Sequence, residues 1–359
     1  MPETNTLVDR EAVASAPPAP PVQPAPLVQF LRGGHVESVH YGHVAVVDSS
    51  GSLIAWAGDP RVPIFPRSAF KPFQALPLAE SGIFAKSGLG PEALALIAGS
   101  HGGTDQHVAL VLRILKEAGA EPSALRCGAH VPYDEPTAAA LAARGEAPTP
   151  LRNNCSGKHA GMLLLSREMA APFDSYIDPS HPVQRRIFER FAALLGEPFA
   201  DAVPAIDGCS APTPRMPLAT LARAFSLLAR GEDVSGRPVP GLAAIRDAMR
   251  SHPENVAGAG QLDTVLMQRL SGTLVCKGGA EGVHAAGLLG SGVGIAVKVA
   301  DGSRRARKAA VLAVLDQLHG LSVEDRAALV PLDSRILRNS AGLAVGSVRP
   351  ALALEMKRP

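Results

Sequence analysis

The chain has 359 residues, of which 46% are hydrophobic, enough for a core in one large domain or two smaller ones. Charged residues make up 19% and the net charge is +2, with both signs interspersed, which argues against a nucleic-acid partner. Only 4% are aromatic, which argues against base-stacking platforms and carbohydrate grooves lined with rings.

The N-terminal segment, residues 1–26, ends in SAPPAPPVQPAP, and this proline density predicts a disordered or extended leader. No stretch reaches the ~18–20 apolar residues of a membrane span, and the polar start is unlike a secretory signal. The cysteines are too scattered for a disulfide framework, so we expect a cytoplasmic protein with free thiols. They are Cys127, Cys155, Cys209 and Cys276.

Strands are predicted near both ends of the folded region. Between Leu27 and Asp59, apolar runs broken at Gly33 and at residues 49–51 predict two or three antiparallel strands. The segment GTLVCKGGAEGVHAAGLL predicts a strand, a glycine-rich turn and a strand. GVGIAVKVADG predicts a strand that ends at an Asp-Gly turn, and GLAVGSVRPALALE predicts a last strand.

Helices are predicted through the middle of the chain. In RSAFKPFQALPLAESG, Pro72 fits only the first turn, which places Ser68 at or beside the helix N-terminus, and Pro77 predicts an irregularity. Further helices are expected over 91–98, 104–119, 136–144, 156–170, 182–196, 216–230, 240–251, 261–270 and 303–319. We therefore expect an α+β fold, a mostly antiparallel sheet of terminal strands with a helical cluster inserted.

Ser68 and Lys71 are the first candidates for chemistry. Side chains three residues apart lie on one face of a helix, and a lysine with a lowered pKa can deprotonate a serine hydroxyl. The alternative is a capping serine followed by a solvated lysine. Against this alternative, Lys71 lies between Phe70, Pro72 and Phe73 in the sequence, an environment unlike a solvated face.

Two glycine-rich segments carry similar candidates. In AGSHGGTDQH, Ser100 is a second serine on a loop, although Thr104 as a helix cap would explain part of the segment. In VCKGGAEG, Lys277 ends a strand before Gly278, where a lysine can supply positive charge to a cleft. A plain hairpin turn is the alternative for this second segment.

Two segments, RNNCSGKHAGM and IDGCSAPTPRMP, each place a cysteine before a predicted helix. A thiol at a helix N-terminus tends toward thiolate, the form that binds metal. Cys155, Lys158 or His159, and Cys209 are therefore candidate ligands of one zinc ion. The alternative is that both cysteines are small buried packing residues.

These motifs, in this order and spacing, resemble the asparaginase II family, the class 3, Rhizobium-type thermolabile L-asparaginases. The resemblance covers about residues 27–320. It rests on Ser68-x-x-Lys71, Ser100-His101, Cys127-Gly-Ala-His130, the run NNCSGKHAGM from Asn153 to Met162, Asp207-Gly-Cys-Ser210, Gly260-x-Leu262-Asp263 and Lys277-Gly-Gly-Ala-Glu-Gly282. Arg152 stands where histidine is commoner in the family.

The resemblance implies a fold similar to serine β-lactamases, penicillin-binding proteins and glutaminases, in one catalytic domain over residues 27–359, and a homodimer. It implies two catalytic pairs, Ser68 with Lys71 and Ser100 with Lys277. It implies a zinc site formed by Cys155, Lys158 and Cys209. It places four residues at the substrate, namely His159, Asp207, Arg67 and Gly278.

The implied activity is hydrolysis of the side-chain amide of L-asparagine to L-aspartate and ammonia through an acyl-enzyme on Ser68, with Lys71 as base. Activity should then rise toward alkaline pH, because a lysine base must be neutral. We expect zinc to position the α-amino and α-carboxyl groups of the substrate. The alternatives are a glutaminase or related amidohydrolase, a β-lactam-recognising protein, and a non-catalytic zinc-binding scaffold.

Overall fold

The computed structural model describes residues 23–197, 204–318, 321–333 and 336–357. Most of the expected leader, residues 1–22, lies outside the described residues. The first strand begins at Ala25, so it includes the last two residues of the expected leader. None of the described helices combines the length and the hydrophobicity that crossing a bilayer requires.

The strands are distributed mainly toward the two ends of the chain. Their bounds are β1 Ala25–Arg32, β2 His35–Val47, β3 Leu53–Ala57, β4 Pro63–Ile64, β5 Ala205–Ile206, β6 Pro212–Thr213, β7 Met216–Pro217, β8 Leu274–Gly278, β9 Val283–Leu288, β10 Gly294–Val299, β11 Ile336–Arg338, β12 Ala344–Pro350 and β13 Glu355–Met356.

Helices occupy most of the stretch between β4 and β8, and two more follow β10. Their bounds are α1 Lys71–Glu80, α2 Ile83–Lys86, α3 Pro91–Ile97, α4 Asp105–Ala118, α5 Glu135–Ala143, α6 Ser156–Glu168, α7 Pro182–Leu195, α8 Leu218–Arg230, α9 Pro240–Ser251, α10 Pro253–Ala257, α11 Leu262–Arg269, α12 Arg304–Gln317 and α13 Val323–Asp333. Short 3-10 helices lie at Arg67–Phe70, Pro122–Ala124 and Pro150–Arg152.

The main sheet is antiparallel, with strand order β11-β12-β1-β2-β10-β9-β8, and β3 pairs with both β2 and β13. The long strand β2 connects β1 and β12 on one side of the sheet with β10, β9 and β8 on the other. Its first half pairs with β1, as in Val28 opposite His40, and its second half pairs with β10 and β3, as in Ala45 opposite Ala296 and Trp56. The expected α+β class, with terminal strands in one sheet and helices inserted between them, is confirmed.

Glycines on the sheet allow a helix to pack closely against it. Helix α8 contacts β2, β9 and β10, while α12 contacts β1, β10 and β12. A Cβ atom added at Gly294 or Gly287 would collide with the backbone oxygens of Ala222 and Phe225 on α8. The absence of a side chain at these two positions therefore sets how close α8 lies to β9 and β10. Strand β9 pairs in turn with β8, which carries Lys277.

Helix α1 lies at the centre of the helical cluster and contacts α3, α6, α7 and α9. Phe73 on α1 packs against the rings of Phe191 and Phe225, with centroid distances of 5.1 and 5.6 Å. Helix α6 approaches α3 at Gly157, where an added Cβ would lie 2.7 Å from Leu96 O. This glycine of the NNCSGKHAGM run is therefore explained by helix packing.

The expected helices are confirmed, and each of their ends falls within two residues of the prediction. The irregularity expected at Pro77 is not a break, because α1 continues through this buried proline to Glu80. Burial of the surrounding helix compensates for the hydrogen bond that proline cannot make. Short or weakly periodic elements had no prediction, and these are α2, α10, α13, β4, β5, β6, β7, β11 and β13.

Candidate active site

A cavity of about 250 Å³ lies where the turn before α1 meets the end of β8. Ser68, Ser100 and Lys277 line it, so three of the four predicted catalytic residues face one space. The predicted substrate residue Gly278 lines it as well. The other lining residues are Tyr133, Asn154, Ala257, Gln261, Leu262, Asp263, Gly279, Ala280, Glu281, Gly302, Arg304 and Arg307.

Ser68 is half-buried in the 3-10 helix that leads into α1, beside the helix start as predicted. The N–H groups in the first turn of a helix have no partner within that helix, so the backbone N–H of Ser68 is a donor available to the cavity. Arg67 is held at φ +52°, a strained value for a residue with a side chain. Gly279 permits the close approach of β8, because an added Cβ would lie 2.5 Å from Pro66 O.

The Lys71 side chain is 1% exposed and fully engaged with the chain around it. Its Nζ donates to Gly99 O at 2.7 Å, to Ser100 Oγ at 2.9 Å and to Asn154 O at 3.2 Å. Three acceptors match the three donors of an ammonium group. Lys71 therefore holds two loops together and fixes the position of the Ser100 hydroxyl.

This geometry differs from the expected pairing of Ser68 with Lys71 and of Ser100 with Lys277. Lys71 bonds to Ser100, and Lys277 bonds to Asp263. The physical reason is that buried backbone carbonyls draw the Lys71 ammonium toward the loop of Ser100 and away from its own helical turn. The four residues are thus assembled in one region, with different partners from those predicted.

Lys277 lies at the end of β8 and is 2% exposed. Its Nζ donates to Gly278 O at 2.7 Å and lies 3.4 Å from Asp263 Oδ2. Burial lowers the pKa of Lys277 to about 8, with Lys71 and Arg307 adding to the effect, although Asp263 opposes it. A lysine in this range is partly neutral near physiological pH and can serve as a base.

Asp263 on α11 is the acidic centre of the site. Its Oδ2 also accepts the Gly278 N–H at 2.7 Å, and its Oδ1 lies 3.0 Å from His284 Nε2. Burial alone would raise the pKa of Asp263, but Lys277 and His284 hold it well below its usual range. No catalytic role for Asp263 was predicted, although it belongs to one of the quoted motifs. Its contacts require α11 to lie beside β8, which no local pattern reveals.

A buried cluster of Cys155, Lys158, His159 and Cys209 lies around the start of α6. Lys158 Nζ donates to Cys209 Sγ at 2.9 Å. A hydrogen bond from Cys155 and the charge of Lys158 hold the pKa of Cys209 well below its usual range. His159 Nδ1 lies 2.6 Å from Tyr176 Oη, while its Nε2 is buried without a hydrogen-bond partner among the described residues.

This cluster fits a zinc ion. It offers two cysteine sulfurs and a histidine nitrogen, which are donors that Zn²⁺ prefers, and that Nε2 of His159 has no hydrogen-bond partner among the described residues. A second set of potential ligands, Asp263, Cys276 and His284, has atoms within 4.8 Å of one another. The oxygens of Asp263 are already bonded there to a lysine, a backbone N–H and His284.

The remaining substrate predictions lie outside the cavity wall. Arg67 Nε donates to Asp207 Oδ1 at 2.7 Å, so these two predicted residues pair with each other. Neither of them lines the cavity, nor does His159. No role was predicted for Glu281, Arg304 or Tyr133. Glu281 belongs to one of the quoted motifs, whereas an isolated arginine or tyrosine carries no local signal of the cavity that it will face.

Serines and buried lysines around one small cavity are typical of hydrolases that work by acyl transfer. The family comparison identifies the chain more narrowly. The family model described as L-asparaginase II matches residues 28–350, so the chain belongs to the L-asparaginase II family. No curated protein matches the chain.

Solved structures that match the chain include Mglu in its glutamate form, which is 17% identical and has a TM-score of 0.34. That comparison covers 77% of this chain and 60% of the Mglu chain in the glutamate form, which is less than two thirds of that chain's length. Mglu in its native form is 16% identical, with 80% and 67% covered and a TM-score of 0.37. A β-lactamase from Desulfarculus baarsii is 19% identical, with 79% and 93% covered and a TM-score of 0.37.

Proposed function

We propose that the protein is an amidohydrolase that converts L-asparagine to L-aspartate and ammonia. The observation that carries the proposal is that Ser68, Ser100 and Lys277 line one cavity of about 250 Å³ in a chain of this family. Pockets for drug-sized ligands hold roughly 300–1,000 Å³, so this smaller cavity suits an amino-acid amide. Glutamine, one methylene longer, is the matched comparison substrate.

In the proposed reaction, Ser68 Oγ attacks the side-chain amide carbon and Lys277 accepts the hydroxyl proton. The backbone N–H of Ser68 stabilises the oxyanion. Lys277 returns the proton to the leaving nitrogen, the C–N bond breaks and ammonia departs. Water then attacks the ester, giving up a proton to Lys277, and L-aspartate is released as Ser68 recovers its proton. The lowered pKa of Lys277, about 8, supports its role as this base.

Lys71 takes a positioning role in this scheme. Because its Nζ donates to Ser100 Oγ, the Ser100 hydroxyl keeps its own proton for a second partner in the cavity. Ser100 is thereby placed to donate a hydrogen bond to the substrate or to the Ser68 oxygen. This replaces the expected role of Lys71 as the base for Ser68.

The proposed cofactor is zinc, held by Cys155, Lys158 and Cys209 with His159 beside them. When bound, the metal supplies a positive charge that keeps both thiols deprotonated. Metal analysis of the purified protein should find about one zinc per chain, and Cys155→Ser should lose it. Full zinc content in that variant would overturn the assignment. The homodimer stays a prediction from the family resemblance, and light scattering tests it. The cytoplasmic location stays a prediction from the scattered cysteines.

The decisive experiment is ammonia release from L-asparagine by the wild type and by Ser68→Ala. The variant should lose ~10⁴-fold or more of kcat, as expected for an essential nucleophile. Ser340→Ala, at an exposed serine outside the cavity, is the matched control and should retain full activity. Equal activity in Ser68→Ala would overturn the mechanism. Preference for glutamine would overturn the substrate but keep the reaction class.

A further inference from the structure

Two charges of opposite sign face the same cavity and have no role in the scheme above. Glu281 lies in the turn between β8 and β9, and Arg304 is the first residue of α12. Both line the cavity that Ser68 lines. Within the described part of the chain, neither side chain has an ion-pair partner at 4.0 Å or less. Exposed charges usually need no explanation, but an opposite pair on the wall of a catalytic cavity can bind a zwitterion.

The backbone at Glu281 is strained in a way that keeps its side chain at the cavity. Its φ of +58° is a left-handed value that residues with a side chain rarely adopt. Gly302 provides the space for the carboxylate, because an added Cβ there would lie 2.7 Å from Glu281 Oε2. Lys298 Nζ donates to the backbone carbonyl of Glu281, which holds the turn and leaves the carboxylate oxygens unbonded. Strain kept at a cavity wall points to a functional side chain.

Arg304 is oriented by an aromatic ring. Its guanidinium carbon lies 5.6 Å from the centroid of the Tyr133 ring, and Tyr133 in turn stacks on His130 at 4.9 Å. A guanidinium over a ring keeps its N–H groups available for a carboxylate. The N-terminal end of α12 adds partial positive charge at the same place. The neighbouring Arg307 is committed to Gly279 O at 2.7 Å, so Arg304 is the better candidate for a ligand.

We propose that Glu281 and Arg304 form an α-amino-acid subsite, in which Glu281 binds the α-ammonium group and Arg304 the α-carboxylate of the substrate. The inference rests on the proposed function, since it assumes that the side-chain amide lies at Ser68. It also changes the role expected for zinc. Cys155, Lys158 and Cys209 do not line the cavity, so the charges on its wall take over the positioning of the α-groups.

The test pairs each variant with a substrate that lacks the matching group. Succinamate is L-asparagine without its amino group, and β-alaninamide is L-asparagine without its α-carboxylate. Glu281→Gln should lower kcat/KM for L-asparagine by ~10- to 100-fold, the value of a charge-assisted hydrogen bond, and leave succinamate within twofold. Arg304→Gln should lower kcat/KM for L-asparagine and for succinamate by similar factors. It should leave kcat/KM for β-alaninamide unchanged.

Arg305→Gln is the matched control, because Arg305 carries the same charge on the same helix but stacks on Phe30 and does not line the cavity. Arg305→Gln should leave kcat/KM for all three substrates unchanged. An equal loss on all three substrates in Glu281→Gln or Arg304→Gln would show a merely structural effect and overturn the subsite. No loss on L-asparagine in either variant would overturn it as well.

Failure of the proposed amidase activity can be distinguished from failure of the Glu281–Arg304 subsite. If the wild type releases no ammonia from any of the three amides, that function fails, and calorimetry with the corresponding acids still tests the subsite. Glu281→Gln should then weaken binding of L-aspartate but not of succinate, and Arg304→Gln should weaken L-aspartate but not β-alanine. Equal affinities for L-aspartate in wild type and both variants would overturn the subsite.

Discussion

The two buried lysines of the site are stabilised in opposite ways. Lys71, at the start of helix α1, is surrounded by neutral oxygens from two backbone carbonyls and Ser100. Lys277, at the end of strand β8, faces the buried carboxylate of Asp263. On the side of helix α1, Lys71 is therefore fixed by neutral hydrogen-bond acceptors. On the side of strand β8, Lys277 and Asp263 form a pair of groups whose charges influence each other.

This difference indicates which lysine is the base. A neighbouring carboxylate ordinarily raises the pKa of a lysine, yet the pKa of Lys277 is lowered to about 8 because burial, Lys71 and Arg307 outweigh Asp263. Lys277 is thus held between opposing effects, so a modest change in its surroundings alters its protonation near neutral pH. The hydrogen-bond acceptors of Lys71 are instead three neutral oxygens, which fix the position of its side chain.

The largest expected effect is on the rate. Lys277→Met should lower kcat by ~10²- to 10⁴-fold, the usual contribution of a general base, as measured by ammonia release at saturating L-asparagine. Lys86→Met, at an exposed lysine of α2, is the control and should be fully active. A greater loss in Lys71→Met than in Lys277→Met would reverse the assignment of the two lysines.

Stability should separate the two lysines as well. Lys277→Met leaves Asp263 as a buried charge without its lysine, which should cost ~3–5 kcal/mol of unfolding free energy. Lys71→Met leaves only neutral carbonyl oxygens unpaired, at ~1–3 kcal/mol. Urea denaturation followed by circular dichroism measures both. If Asp263→Asn does not restore stability to Lys277→Met, the ion pair is not the cause of the loss.

The pH profile tests the coupling of Asp263 to Lys277. Activity needs neutral Lys277, so kcat/KM should rise as pH increases through about 8. Asp263 raises the pKa of Lys277, and Asp263→Asn should therefore move the rising limb ~1–3 units toward acid. Asp174→Asn, at a side chain 99% exposed, is the control and should leave the profile in place. A shift toward alkaline pH would contradict the coupling.

A smaller effect, on stability, is expected where helices α3 and α6 pack against each other. These helices adjoin the loops whose carbonyls surround Lys71. In Gly157→Ala, the added Cβ would lie 2.7 Å from Leu96 O, and the strain should lower the unfolding free energy by ~1–3 kcal/mol. Gly272→Ala is the matched control, because an added Cβ there meets nothing within 4 Å. Thermal denaturation measures both variants. Equal melting temperatures in Gly157→Ala and wild type would show that α3 and α6 can move apart at this contact without a loss of stability.

Much of the fold was predictable from local patterns. Apolar periodicity located the long helices, and glycine-rich breaks located the hairpin of β8 and β9, because both signals depend on neighbouring residues alone. The segments without a prediction are mostly two to five residues long, such as α2 and β4, where tertiary contacts decide the structure. Helix α13 is the longer exception.

The site was predictable as a set of residues but not as a set of bonds. Ser68, Ser100 and Lys277 were identified by their motifs, and they do line one cavity. The partner of Lys71 depends on carbonyls from two distant loops, and that of Lys277 depends on where α11 lies. Backbone oxygens have no sequence signature, and a carboxylate acquires its role only through the fold.

The pairing of β1 with β12 and of β2 with β10 has a consequence during protein synthesis. Strands β1 and β2 leave the ribosome long before β12 and β10, because every helix from α1 to α11 lies between them in the chain. Until then the nascent chain presents unpaired strand edges, which attract other unfinished chains. Strand β8, which carries Lys277, likewise joins the cavity that Ser68 lines only after the helical cluster has been translated. The order of translation thus delays assembly of the cavity and creates a period in which a molecular chaperone would protect the open sheet.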